Sequence, residues 1–224
     1  MSAVVSRPWR CLASALLFSV LLLGTLPATT AAAPLKILAF GDSLIHGYGL
    51  AAGDTFPEQL ERALRDQGYD VTVINGGNSG DTTAAGLARL DWALADQPDL
   101  VLVELGANDG LRGIEPSDTY ANLDAILIRL KQERVPILLA GMLAPRNLGA
   151  DYAADFDAVF PRLAARHAVA FYPFFLEGVA MEADLNQPDG IHPNAEGVAV
   201  IVESITPEVA RLIDTIVEGR AADG

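Results

Sequence analysis

The sequence predicts an α/β protein, a three-layer α/β/α sandwich around a five-stranded parallel sheet. Beyond residue 33, five short apolar runs recur along the chain, and a helical pattern follows each of them. Each run is bounded by Gly, Pro, Asn or Asp, which is typical of buried parallel strands. Strand–helix alternation repeated five times favours a doubly wound sheet with helices on both faces.

The elements follow from local spacing and from residues that end helices. The predicted strands cover residues 35–40, 71–74, 100–104, 136–140 and 169–172. The predicted helices cover residues 56–67, 82–94, 116–131, 153–166 and 194–217. In the second helix Leu87, Leu90 and Leu94 recur three and four residues apart, which is the helical period. Gly68 directly follows the first helix, a position where glycine is common.

Residues 1–33 have the features of a cleaved signal peptide. Arg7 and Arg10 give the start a positive charge, an apolar run follows as far as Leu26, and residues 31–33 are small. The run is short for a membrane anchor, which usually needs about 20 apolar residues, although an uncleaved anchor is the alternative. We therefore expect a periplasmic or secreted protein with one domain over residues 34–217. Residues 218–224 are expected to form a frayed C-terminal tail.

Charge and cysteine content restrict the partners and the chemistry. The chain has 15 basic and 29 acidic residues, a net charge of −14, and loss of Arg7 and Arg10 makes it −16. Such a surface repels nucleic acid and anionic membranes at long range. We expect no nucleic-acid partner and no stable membrane insertion after cleavage. The single cysteine, Cys11, lies in the signal segment, so the exported chain has no disulfide and no thiolate nucleophile.

Polar residues gather directly after the predicted strands. The sequence Gly41-Asp42-Ser43-Leu44 follows the first strand, residues 76–81 follow the second, and residues 106–110 follow the third. The pair Asp189 and His192 lies beyond the fifth strand. Because the carboxyl ends of parallel strands meet at one edge, where such sheets place their sites, we expect these residues to lie together.

Ser43, Asp189 and His192 are the residue types of a nucleophilic hydrolase. A nucleophilic serine needs a base to take its proton, and the base needs a carboxylate to hold its tautomer. The chain has three histidines, and we expect His46 to line a loop and His167 to be solvated at the end of a helix. Ser43 could instead only cap a helix, and His192 could be a packed loop histidine. A zinc site is poorly supplied with ligands, so no metal is expected.

Gly80 and Asn108 can supply donors to the negative oxygen that acyl transfer creates. Gly80 has no side chain to block approach to its N–H, and Asn108 offers a side-chain amide. The segments that contain Gly80 and Asn108 could also be plain turns. Asp42 and Asp109 are expected to hold backbone turns.

The four blocks together resemble the SGNH (GDSL) hydrolase family. The blocks are Phe40-Gly41-Asp42-Ser43-Leu44, Ser79-Gly80-Asp81-Thr82, residues 103–113 (VELGANDGLRG) and Asp189-Gly190-Ile191-His192-Pro193-Asn194. The third block, preceded by residues 86–90 (GLARL), is similar to the bacterial periplasmic thioesterase, lysophospholipase and arylesterase branch. The resemblance implies a flavodoxin-like fold. It makes Ser43 the nucleophile, His192 the base and Asp189 its orienter. The implied oxyanion donors are the N–H groups of Ser43 and Gly80 and the amide of Asn108.

The expected activity is that of a serine esterase acting through an acyl-serine intermediate. The expected substrates are esters, and also thioesters, of small or lipidic acyl groups. Residues 143–152, which resemble a substrate-facing loop, differ from the relatives in sequence, so the acyl-chain preference is left open. The alternatives are a carbohydrate deacetylase of the same fold and a catalytically silent module that binds lipid or glycan. No cofactor is expected, and the protein is expected to be a monomer.

Overall fold

The computed structural model describes residues 1–3 and 33–223. Contacts divide the chain into one unit from Met1 to Ala33 and a second, larger unit from Pro34 to Gly224. The signal peptide predicted for residues 1–33 lies almost entirely outside the described residues and stays a prediction. Among the helices that the structure describes, none has both the length and the apolar content needed to cross a bilayer.

The predicted parallel sheet of five strands is confirmed. The strands are β1 (Leu35–Gly41), β2 (Val71–Gly77), β3 (Leu100–Glu104), β4 (Ile137–Ala140) and β5 (Ala170–Tyr172). Their order across the sheet is β2-β1-β3-β4-β5, and all neighbours run parallel. β3 and β4 are buried along their whole length, as a sheet covered on both faces requires.

Helices cover both faces of this sheet, as predicted. They are α1 (Ser43–His46), α2 (Phe56–Asp66), α3 (Thr83–Ala93), α4 (Ala107–Arg112), α5 (Pro116–Gln132), α6 (Ala150–Asp157), α7 (Val159–His167) and α8 (Ala195–Asp223). Short 3₁₀ turns occur at Leu94–Asp96, Arg146–Leu148 and Ala183–Leu185. One layer contains α2 packed on α8, and the other contains α3, α5 and α7 packed in that order.

The helices differ from the sequence prediction in three ways. The helix predicted over residues 153–166 is two helices, α6 and α7, which meet at Ala158. Pro161 lies in the first turn of α7 and has no N–H for the carbonyl of Asp157, so the hydrogen-bond ladder is interrupted there. The short helices α1 and α4 replace what the pattern identified only as turns or caps. The last helix continues to Asp223 instead of ending at residue 217, and the guanidinium of Arg220 in this extension pairs with Asp99.

The sheet positions the polar blocks as expected. The short helix α1 directly after β1 begins with Ser43, the loop after β2 contains Gly80, and α4 shortly after β3 contains Asn108. The long segment after β5 returns to the same edge and brings His192 within hydrogen-bonding distance of Ser43. The carboxyl edge of the sheet is therefore the place where the candidate side chains meet.

Candidate active site

Ser43 is the first residue of α1, a four-residue helix directly after β1. The side chain of Asp42 caps this helix by accepting a hydrogen bond from the N–H of Leu44 at 3.0 Å. Gly47 ends the helix in the left-handed region, with φ of 85°, and its N–H donates to the carbonyl of Ser43. A tight turn with a defined cap at each end thus fixes the direction of the Ser43 side chain.

Ser43, His192 and Asp189 form a continuous chain of hydrogen bonds. The Ser43 Oγ lies 2.9 Å from His192 Nε2, and His192 Nδ1 lies 2.7 Å from Asp189 Oδ2. The other oxygen of Asp189 accepts from the backbone N–H groups of Ile191 and His192 at 2.9 and 3.0 Å. These two N–H groups, with the imidazole, lower the pKa of Asp189 to about 2. A charged carboxylate in this position can hold the imidazole with Nε2 free to take the serine proton.

Gln187 ties the loop that contains His192 to the loop after Ser43, a link that the sequence did not indicate. Its side-chain amide donates to the carbonyl of Tyr48 at 2.7 Å and to that of Pro193 at 3.0 Å. The ring of Tyr48 packs beside the imidazole of His192, with centroids 4.7 Å apart. The imidazole is therefore positioned from two sides, by Asp189 and by the Tyr48 loop.

Three donors that could face a negative oxygen lie near Ser43, and they differ in availability. Within the described residues, the N–H groups of Ser43 and Gly80 donate to no protein acceptor. Asn108 instead uses both hydrogens of its amide, bonding Asp42 Oδ2 and the carbonyl of Asp81 at 3.0 Å each. To donate to an oxyanion, Asn108 must exchange or share one of these bonds. The bond to the neutral Asp81 carbonyl is the weaker of the two, because Asp42 offers a carboxylate oxygen.

Two buried carboxyl groups lie at the turn that contains Ser43. Asp42 and Glu104 are both 0% exposed, and the N–H of Asp42 points at Glu104 Oε2 at 3.4 Å. Burial raises the pKa of Asp42 to about 6. Burial, together with the adjacent Asp42, raises the pKa of Glu104 well above its usual range. Two carboxyl groups this close together in a fully buried site are not both ionised, so one of them retains its proton.

Arg89 on α3 joins the loop after β1 to the loop that contains Gly80. Its Nε lies 2.5 Å from Asp81 Oδ2, and its Nη2 donates to the carbonyl of Gly41 at 2.7 Å. The guanidinium also stacks over the ring of Phe40, 4.3 Å from its centroid. Arg112, an exposed residue on α4, donates to the carbonyl of Gly80 at 2.9 Å. The Gly80 loop is thus held at its carbonyl and at the neighbouring carboxylate.

The remaining candidates have structural environments. His46 is exposed, with Nδ1 3.4 Å from the carbonyl of Gly77. Asp109 is buried and holds Thr83 by its N–H and its hydroxyl, consistent with the turn-holding role expected for it. The prediction that His167 is solvated is wrong, because this side chain is buried and its Nε2 lies 2.7 Å from Asp124 Oδ1. Among the residues that the structure describes, no group of three or more His, Cys, Asp and Glu is arranged to hold a metal ion.

Comparisons with known proteins place this arrangement in a family. The family model described as GDSL-like Lipase/Acylhydrolase matches residues 39–200. An arylesterase of Vibrio mimicus is 41% identical over 177 residues, which is 79% of this chain and 88% of the relative. The thioesterase 1/protease 1/lysophospholipase L1 of Escherichia coli strain K12 is 38% identical over 185 residues, 82% of this chain and 88% of the relative. The crystal structure of AlinE4, a SGNH-hydrolase family esterase, is similar with a TM-score of 0.69 and 48% identity, covering 81% of this chain and 98% of that chain.

The matched region contains every residue of the hydrogen-bonded site, from Asp42 to His192. The relatives are matched over most of their own length, so the likeness concerns whole domains. The chain belongs to the GDSL-like lipase/acylhydrolase family, the SGNH hydrolases, and is a serine ester hydrolase.

Proposed function

We propose that Ser43 is the nucleophile, His192 the general base and Asp189 the residue that orients His192. His192 Nε2 takes the proton of Ser43 Oγ while Oγ bonds to the carbonyl carbon of the ester. The tetrahedral intermediate collapses as His192 protonates the leaving alcohol or thiol, and an acyl-serine remains. Water, deprotonated by the same imidazole, then attacks the acyl carbon, and the imidazole returns this proton to Ser43 Oγ as the bond from Oγ to the acyl carbon breaks and the acid leaves. The observation that carries this proposal is the Ser43–His192–Asp189 chain, with contacts of 2.9 and 2.7 Å.

The N–H groups of Ser43 and Gly80 and the amide of Asn108 stabilise the oxyanion in this proposal. In the described part of the chain these two N–H groups donate to no protein acceptor and can donate to a ligand oxygen, and Gly80 adopts a φ of 87° that its lack of a side chain permits. Donors already fixed before the reaction stabilise charge as it develops without reorganising.

The substrates we propose are esters and thioesters with small or lipidic acyl groups. Large apolar side chains remain exposed beside the site, namely Tyr48 at 52%, Leu111 at 50% and Ile191 at 46%. Ile191 precedes His192 in the chain, and Leu111 lies on α4 with Asn108. An acyl chain leaving water could cover these side chains. Thioester cleavage is further supported by the likeness to the Escherichia coli protein whose name includes thioesterase 1.

We propose that the protein acts outside the cytoplasm, after removal of residues 1–33. The basic start, short apolar run and small residues before Pro34 support this. Mass spectrometry of the exported protein should find an N-terminus at residues 32–34. A membrane-bound protein that retains Met1 would contradict export by cleavage.

The proposed function is tested by kinetics on a substrate panel of aryl esters, lysophospholipids, acyl-CoA thioesters and acetylated sugars. Ser43→Ala should lower kcat by several orders of magnitude on every substrate that the wild type cleaves, with the fold intact. Ser117→Ala, an exposed serine on α5, is the matched control and should keep wild-type turnover. Normal turnover by folded Ser43→Ala would contradict the mechanism. Cleavage of acetylated sugars alone would contradict the proposed substrate class.

A further inference from the structure

Glu104, the last residue of β3, has no part in the proposed proton transfer but lies at the turn that contains Ser43. Its side chain is fully buried, and its Oε1 has no hydrogen-bond partner among the described residues. Its Oε2 has one long contact, 3.4 Å from the N–H of Asp42. A carboxylate with so few donors in a dry site is unstable, so this environment favours a neutral acid.

Asp42 connects the two parts of the site that must be aligned. One oxygen accepts from the N–H of Leu44 and caps the helix that begins with Ser43. The other oxygen accepts from the amide of Asn108. A single buried carboxylate therefore fixes both the nucleophile and the amide donor, and its own orientation becomes important for both.

The carboxyl group of Glu104 is adjacent to Asp42 in the buried site, because Glu104 Oε2 lies 3.4 Å from the backbone nitrogen of Asp42. A hydrogen bond between two carboxyl groups requires a proton on one of them. Asp42 has donors on both oxygens, which stabilise its charged form, whereas Glu104 has one long contact and one unpartnered oxygen. The proton therefore belongs on Glu104.

The charged groups around the pair agree with this assignment. Arg89 from α3 donates to the carbonyl of Gly41, next to Asp42, and is itself paired with Asp81. His192, from the loop before α8, would favour the ionised form of Asp42 when its imidazole is protonated. Glu104 is destabilised as an anion by burial and by the adjacent Asp42. Gly41 makes room for the pair, since a Cβ there would lie 2.6 Å from Glu104 Oε2.

We propose that Glu104 is a positioning residue that acts as a neutral acid, donating its proton to Asp42 so that Asp42 holds Asn108 in place for the oxyanion. The inference rests on the proposed function in its last step, because Asn108 is an oxyanion donor only in that proposal. Protonation of Glu104 itself is independent of any activity.

Protonation is tested by infrared difference spectroscopy between wild type and Glu104→Gln at about pH 8, above the pKa of Asp42. The C=O stretching band of a protonated carboxylic acid should be present in the wild type and absent from the variant. Absence of that band from the wild type would overturn the proposal. The melting temperature gives a second readout, because folded wild type keeps a proton that the unfolded chain releases, and so loses stability as the pH rises. The advantage of Glu104→Gln over wild type should therefore grow between about pH 5 and about pH 8.

The positioning role is tested by comparing Glu104→Met with Glu104→Gln. Methionine has a similar length but no donor, and should lower kcat by roughly 10-fold to 100-fold, the size of effect seen when hydrogen-bond partners that orient metal ligands are removed, with a smaller change in KM. Glutamine can donate to Asp42 as the acid does and should recover most of that loss. Wild-type kcat in folded Glu104→Met, or Glu104→Gln as slow as Glu104→Met, would overturn the positioning role. If Glu104→Met does not fold, the infrared band and the kcat of Glu104→Gln decide.

Failure of this inference is distinguishable from failure of the proposed function. If folded Ser43→Ala keeps normal turnover, the proposed function is wrong, and the infrared band of Glu104 is unaffected. If Ser43→Ala is inactive and the band is missing from the wild type, only the inference on Glu104 is wrong.

Discussion

Replacement of Asn108 by alanine separates a chemical role from a structural one. The side-chain nitrogen makes two hydrogen bonds of 3.0 Å, to Asp42 Oδ2 and to the carbonyl of Asp81. As an oxyanion donor, its loss should lower kcat about 10²–10³-fold, or roughly 3–4 kcal/mol. KM should change little, because the donor acts on charge that develops only in the transition state.

The same substitution should also lower stability. Asp42 is fully buried and would lose a donor to its carboxylate, and an unsatisfied buried acceptor costs about 1–3 kcal/mol. The assay is therefore kcat, KM and melting temperature measured on one preparation. Asn122→Ala is the matched control, because that amide donates to Thr83 Oγ1 at 3.1 Å and, within the described residues, has no hydrogen bond to Asp42 or Ser43. It should lower the melting temperature and leave kcat as in the wild type.

The reasoning would be refuted if Asn108→Ala behaved like its control. A lowered melting temperature with wild-type kcat in the folded enzyme would mean that Asn108 only ties α4 to Asp42 and to the carbonyl of Asp81. A large rise in KM with unchanged kcat would instead place Asn108 in ground-state binding.

Two further substitutions test the support of the site. Asp189→Asn should lower kcat by up to about 10⁴-fold, because the amide cannot stabilise the imidazolium form of His192; unchanged kcat would remove Asp189 from the mechanism. The pKa of Asp189 is lowered from 3.8 to about 2, so its charge stabilises the fold above pH 3.8. This contribution is lost as the pH falls toward 2. The gap in melting temperature between wild type and Asp189→Asn should accordingly shrink between about pH 5 and about pH 2. Arg89→Met should reduce the free energy of unfolding, measured in urea, by about 3 kcal/mol, because it leaves the buried Asp81 without its counter-charge. Arg129→Met removes exposed ion pairs and should change the free energy of unfolding much less than Arg89→Met does, and equal effects of the two would contradict the role of Arg89.

The sequence predicts the fold well because the sheet is built from continuous apolar runs. Residues 100–104 are an example, since the whole apolar run is buried as β3. Helix ends are less predictable where a backbone feature overrides the side-chain pattern. Pro161 divides the helix predicted over residues 153–166, although the apolar spacing continues across the break.

The site is predictable where its residues have short motifs, and unpredictable where they act through distant partners. Ser43 and His192 are identified by their neighbours, and the fold brings them together across 149 positions. The sequence does not distinguish Glu104 from the other residues of its strand, because its environment depends on Asp42, 62 positions away. The sequence predicts that His167 is solvated at the end of a helix for the same reason, since its partner Asp124 lies 43 positions earlier on α5.

The central claim is that Ser43 is a nucleophile activated by His192. It is tested most directly by treating the folded enzyme with a fluorophosphonate and locating the adduct by peptide mass spectrometry. The Ser43 Oγ should displace fluoride and be the one modified serine, and labelling should be absent in Ser43→Ala and strongly slowed in folded His192→Ala. An adduct on another serine, together with loss of activity and no modification of Ser43, would contradict the account.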